Sequence, residues 1–173
     1  MRRRLGWWLL VGVLVAGCTT SGANQRVGSD QTDIWFAQHM VPHLLQNSAI
    51  VGLVGDRLTR PQLARLAGTI NRQSTANVQE LQGWLESRGL APYDPQQDPN
   101  HGKVTDLSRL SKAKDAGFDR AFLKVMLARH RTGLRMAAAE AREGAIPELR
   151  ALARRMTTEL RAQIEQMTAL LAA

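Results

Sequence analysis

Two short stretches carry the residues best suited to chemistry. "FAQHMVPHLLQ", Phe36 to Gln46, holds His39, Met40 and His43, and "FLKVMLARHRT", Phe122 to Thr132, holds Met126 and His130. Thioether sulfur and imidazole are soft-to-borderline donors, and a few of them converging on one point suit Cu(I). In helical register Met40, His43, Asn47 and Ile50 share one face, and Met126, His130, Gly133 and Met136 share another. The candidate copper ligands are therefore Met40, His43, Met126, His130 and Met136. The spacing leaves the direction of His39 open. It also fits a plainer role, because methionine readily fills irregular gaps in helix cores.

Other chemistries lack their residues. A di-iron or di-manganese bundle needs inward glutamates with Glu-x-x-His on two helices. Here the residues three before His39, His43 and His130 are Phe36, Met40 and Leu127. No His-Glu-x-x-His zinc motif occurs. The serines have no histidine or acid at readable spacing, and no glycine-rich phosphate loop follows a strand. The one cysteine, Cys18, lies in a leader-like segment. The expectation is a protein that is not an enzyme.

The elements that must position these residues read as helices. Apolar residues recur every three and four positions at Leu63, Leu66, Ala67, Ile70, Leu81, Trp84 and Leu85, and again at Leu149, Leu152, Ala153, Met156, Met167, Leu170 and Leu171. Each set makes one apolar stripe. Helix one is expected over about 33–57, and helix two from Pro61, at a first helical position, to a C-cap at Gly89. After a Pro- and Gly-rich loop containing His101, read as exposed, a short helical piece leads to helix three, about 118–143. Pro147 then opens helix four, which runs to the last residues. Asp33 and Asp119 are expected to cap or charge the first turns of their own helices. No stretch alternates with period two, so no strand is expected. The fold class is all-α: a four-helix bundle built from two tandem helical hairpins.

The hairpins are copies. Shifted by 86 positions, Asp33 meets Asp119, Phe36 meets Phe122, Met40 meets Met126 and Pro61 meets Pro147, with no gap between them. Leu63, Leu66, Ala67 and Ala76 likewise meet Leu149, Leu152, Ala153 and Ala162. Such a duplication should pack with approximate twofold symmetry, turning the two Met/His faces toward each other in the interior.

The N-terminus bears on compartment. "MRRR" precedes "LGWWLLVGVLVA", an apolar run shorter than the ~20 residues that span a bilayer. "VAGC" follows, the bacterial lipoprotein pattern in which the cysteine thiol receives the lipid. Residues 1–17 therefore read as a signal peptide, Cys18 as the lipidation site, 18–32 as a flexible Ser/Thr/Gly/Asn-rich tether and 33–173 as the bundle. The expected location is the extracytoplasmic side of a membrane. Loss of Arg2, Arg3 and Arg4 takes 23 Lys+Arg to 20 against 15 Asp+Glu, about +5. These cations are scattered along helices with few aromatics beside them, which argues against a nucleic-acid partner. An anionic envelope, a metal ion or an unspecified protein partner remains.

With these motifs in hand, the chain from Asp33 to Leu171 resembles the family named domain of unknown function 305. The shared features are Phe-x-x-x-Met before a His-His pair, a following Met-Ala, a break, and Leu-Ala with a Gln/Glu-Ile/Leu ending. The resemblance implies a ferritin-like bundle, commonly exported or lipid-anchored, with copper binding through Met and His in some members. The pair stands here as His43-Leu44 in one half and Arg129-His130 in the other, while the later Met is Met136 in one half and Ile50 in the other. Two readings stay open. The halves complement each other in one composite copper site, or the site has decayed on a retained scaffold that serves as an envelope interaction protein.

Overall fold

The computed structural model describes residues 30–54, 57–94 and 108–173. Its helices are α1 (Gln31–Val54), α2 (Pro61–Glu86), the short α3 (Ser108–Lys112), α4 (Asp115–Glu143) and α5 (Pro147–Ala172). No strand occurs among the described residues. The expected all-α bundle of two hairpins is what forms: α1 packs most closely on α2, and α4 on α5, while the first helices of the two hairpins, α1 and α4, meet more closely than α2 and α5 do. The helix starting near Phe118 begins three residues earlier, at Asp115. The signal segment, Cys18 and His101 lie outside the described residues. No described helix is long and apolar enough to cross a membrane.

Local chemistry explains the boundaries. Both second helices carry proline at the first position, where a missing N–H costs nothing. α2 ends as expected at Gly89, with φ 64°, and its backbone closes a Schellman turn. Gly89 N–H donates to Glu86 C=O and Leu90 N–H to Leu85 C=O, both at 3.0 Å. α1 has a proline in its interior, Pro42, which leaves the Gln38 carbonyl without its helical donor. Tyr93 N–H fills that vacancy at 3.0 Å, and Gln38 Nε2 donates back to Ala91 C=O at 2.9 Å. The segment after α2 is thus stitched to α1 at its proline.

Twofold symmetry is visible in the hydrogen bonds. Asp119 on α4 accepts from Thr59 N–H at 3.0 Å and Arg60 N–H at 3.1 Å, just ahead of α2. Asp33 on α1 accepts from Ala145 N–H at 2.9 Å and Ile146 N–H at 2.8 Å, just ahead of α5. All these positions are related by the same shift of 86. The expectation that each aspartate caps its own helix is therefore corrected. Neither second helix has a side-chain cap from its own N-cap residue, Arg60 or Ile146. The carboxylate comes from the other hairpin because the exposed amides ahead of Pro61 and Pro147 need an acceptor that the local sequence lacks.

The core divides into two symmetry-related clusters. One gathers Phe36, Met40, Leu81, Leu149, Leu152 and Met156. The other gathers Phe122, Met126, Met167, Leu63, Leu66 and Ile70. Burying each large side chain contributes about 1.5–3 kcal/mol.

Asp119 is buried, and burial alone would raise its pKa. The bonds from Thr59 and Arg60 outweigh this and hold the carboxyl below its usual range. A carboxylate with a depressed native pKa stabilises above its ordinary value, and that stability is lost as pH falls through the native one. Asp119→Asn should therefore cost about 1–3 kcal/mol at pH 7. In urea unfolding, the difference from wild type should shrink as the pH drops below 4.

Candidate metal centre

α1 and α4 bring His43 and Arg129 face to face midway along the bundle. These two residues are twofold equivalents, 86 positions apart. The Arg129 guanidinium donates from Nε to Asn47 Oδ1 at 2.5 Å, from Nη1 to Gln46 Oε1 at 3.0 Å and from Nη2 to His43 C=O at 2.7 Å. All three acceptors are neutral oxygens. Burial pulls its pKa down to about 10, which still leaves it charged at neutral pH. The equivalent of Arg129–Asn47 is His43–Gly133, and there the symmetry fails chemically. Glycine offers no side-chain acceptor, and His43 Nε2 is buried without a hydrogen-bond partner.

His43 is held neutral: its pKa falls to about 3, first through burial and then through the charges of Arg129 and His130. Arg129 Nη2 lies 3.4 Å from His43 Nδ1. A guanidinium only donates, so Nδ1 presents its lone pair and the ring proton sits on Nε2. The nitrogen facing Gly133 is thus an N–H, and binding a metal there requires the other tautomer.

His130 is fully buried, and desolvation lowers its pKa against the raising effect of its hydrogen bonds and alongside the charge of Arg129. Nδ1 lies 2.8 Å from Met126 C=O, and Nε2 lies 2.7 Å from the Gln163 amide. Gln163 presents Oε1 to that nitrogen, so a neutral ring, carrying one proton, donates either to Gln163 or to Met126 C=O. Gln163 bonds onward to Gln73, and Asn77 bonds Glu159 at 3.2 Å; these two contacts are again twofold equivalents. Between α2 and α5 they frame a narrow cleft of about 10 Å³, whose lining includes His130, Met156, Glu159, Gln163, Gln73 and Asn77. A space of that size holds one water-sized occupant.

The expected ligands all lie at the interior or its edge, but in different places. Met40 is fully buried in the first core cluster, with Met136 half-buried against it, and Met126 is fully buried in the second. His43 and His130 lie close enough for each to feel the shared polar layer. Of the expected set only His130 lines the cleft. His39 points elsewhere, stacked between Trp35 at 4.4 Å and Tyr93 at 4.6 Å, with Nδ1 bonded to Trp35 C=O. Among the described residues no three His, Cys, Asp or Glu side chains converge as a metal site. Sequence reasoning missed Met156 and Gln163 as neighbours of His130. Met156 belongs to the apolar stripe of the last helix, and a glutamine on a helix carries no signal of its own. The 86-residue shift could have found Gln163, whose equivalent is Asn77.

The sequence matches the family described as Domain of unknown function (DUF305) over residues 33–171. The chain belongs to that family. Solved structures agree with this. The DUF305 protein of Streptomyces coelicolor is 26% identical, with a TM-score of 0.73 over 83% of this chain and 94% of that one. A DUF305 fragment from Deinococcus radiodurans is 21% identical, with a TM-score of 0.72 over 83% and 97%. CopM in a Cu(II)-bound form is 24% identical, with a TM-score of 0.73 over 83% and 97%, and CopM has also been solved with Cu(I) and with Ag bound. Among curated proteins, none matches significantly by sequence.

Gly133 tests how tightly the polar layer is packed. A Cβ there would lie 3.1 Å from His43 Nε2 and 3.6 Å from Leu160 Cδ1, whereas one at Gly83 on α2 meets nothing within 4 Å. Gly83→Ala should stabilise by up to about 1 kcal/mol through helix propensity. Gly133→Ala gains the same propensity but crowds the imidazole, so it should be less stable than Gly83→Ala by about 1–2 kcal/mol in chemical unfolding.

Proposed function

We propose that this DUF305 bundle takes up and releases a soft monovalent metal ion, Cu(I) by chemical class, without catalysing a reaction. The observation that carries the reading is the cleft at His130. It has room for one ion beside a neutral imidazole, the Met156 side chain and Glu159. Imidazole and thioether are donors of the right softness, and a histidine must be neutral to bind. The likeness in fold to CopM, which has been solved with Cu(I) and Ag bound, supports the same class of cargo.

This chain's residues make such binding reversible. His130 Nε2 is held by Gln163, so an ion gains the imidazole only as that amide turns away, and the amide reclaims it on release. The fixed charge of Arg129 is felt at His130 and lowers affinity for any cation. A weak, exchangeable site suits a buffer rather than a store. We place the bundle outside the cytoplasm, tethered to a membrane through a lipid on Cys18. The second reading is a metal-free envelope scaffold. It is favoured by Arg129 itself, whose guanidinium occupies the position equivalent to His43 and takes up the Asn47, Gln46 and His43 carbonyl oxygens that face it.

Anaerobic titration against a chromophoric Cu(I) chelator separates the two. On the metal reading the purified chain binds one equivalent, His130→Gln abolishes that binding, and Met156→Leu weakens it at least about tenfold. Arg129→Gln tightens it, and Met136→Leu leaves it unchanged. Absence of stoichiometric binding in every variant, with His130→Gln altering stability alone, establishes the scaffold. The tether is checked independently: intact-mass analysis should find acyl chains on a protein beginning at Cys18, and none on Cys18→Ser.

A further inference from the structure

The two aspartate grips are equal in geometry but differ in what lies beside them. Asp119 has a cation at hand: Arg60 Nε lies 3.3 Å from its Oδ2. Asp33 instead has a second carboxyl, that of Glu140 near the end of α4. Glu140 and Asp33 are both fully buried, and neither Glu140 oxygen meets a donor. The position equivalent to Glu140 in the other half is Val54, so this carboxyl is an addition to the duplicated plan. The α4–α5 turn is shaped to hold it. A Cβ on Gly144 would overlap Glu140 Oε1 and lie 2.8 Å from the Glu140 carbonyl, so a side chain there would collide with both.

Two buried carboxyls in contact cannot both be ionised without strong repulsion. With one proton between them, a Glu140 O–H donates to Asp33 while Asp33 keeps accepting from Ala145 and Ile146 N–H. We propose that this shared proton completes a latch between the first turn of α1 and the α4–α5 turn, and that its loss under alkaline conditions releases the latch. The charged groups facing the pair are Asp33 from α1 and Arg150 from α5, whose Nε is buried without a hydrogen-bond partner. The neighbouring Arg142–Glu143 pair is exposed, as is Glu148. Burial first, then Asp33, pushes the Glu140 carboxyl up to about 8, with Arg150 opposing. An acid whose native pKa is raised stabilises fully below its unfolded value of 4.5, and that stability is lost as pH climbs through about 8. The latch is thus firmest in acid, weakens as the pH rises through neutrality and is weakest in alkaline surroundings.

The molecule contains its own control. Hydrogen exchange by NMR on the full chain, corrected for intrinsic rates, should show protection at Ala145 and Ile146 falling by up to about tenfold per pH unit as the pH climbs toward about 8, and levelling off above it. Thr59 and Arg60, held by Asp119 with no second carboxyl, should stay level over the same range. Glu140→Gln, whose amide donates to Asp33 at every pH, should level both pairs. If the two amide pairs track each other in the wild type, or if Glu140→Gln keeps the fall, the latch is wrong. Should that variant not fold, a carbon-13 titration of Glu140 in the wild type decides instead. A midpoint near 8 upholds the shared proton, and one in the ordinary carboxylate range overturns it.

Discussion

Each hairpin of this protein is closed by a carboxylate belonging to the other. Asp33 and Asp119 reach across the bundle to the amides ahead of Pro147 and Pro61, where the chain has placed a helix-opening proline but no local cap. The arrangement sets the antiparallel register of α1 against α4, because the start of each must lie at the far turn of the other. Once that register is fixed, the two apolar clusters fall at opposite ends, and residues midway along α1 and α4, His43 and Arg129, must meet.

The middle of the bundle is consequently polar, and its character follows from where the two halves have diverged. At conserved-register positions the bonds come in twins, Asn77 with Glu159 and Gln163 with Gln73. Where the halves differ, one side is satisfied and the other is left short. Arg129 finds Asn47, while His43 faces Gly133 and keeps an unpaired nitrogen. A buried donor without an acceptor costs about 1–3 kcal/mol, so the orphan at His43 is a standing weakness in the layer. On the metal reading it sits beside the His130 cleft without joining it; on the scaffold reading it is what remains of a pairing that Arg129 now replaces on its own side.

Much of the fold was legible because duplication leaves a record that one sequence can be compared against. Phe36 with Phe122, Met40 with Met126 and Pro61 with Pro147 gave the hairpins and their boundaries, and Gly89 gave its cap. The candidate site was less legible. The five expected ligands do occupy inward faces, yet Met40 and Met126 belong to clusters at opposite ends, and His39 turns away to stack on Trp35 and Tyr93. Helical spacing tells which residues share a face, but not how far one helix is slid along its partner. It therefore could not tell which donors meet, nor that Gln163 and Met156 would be the neighbours of His130.

The sequence by itself determined the helices, their duplication and the family, because periodicity, proline, glycine and an 86-residue repeat are properties of the chain alone. Tertiary structure decided which nitrogen of each histidine is engaged, which carboxylate caps which turn, and that Glu140 lies against Asp33. Those outcomes depend on contacts between residues far apart in the chain, from 33 positions for His130 and Gln163 to 113 for Asp33 and Ile146, whose burial and mutual charge exist only once the helices have closed on each other.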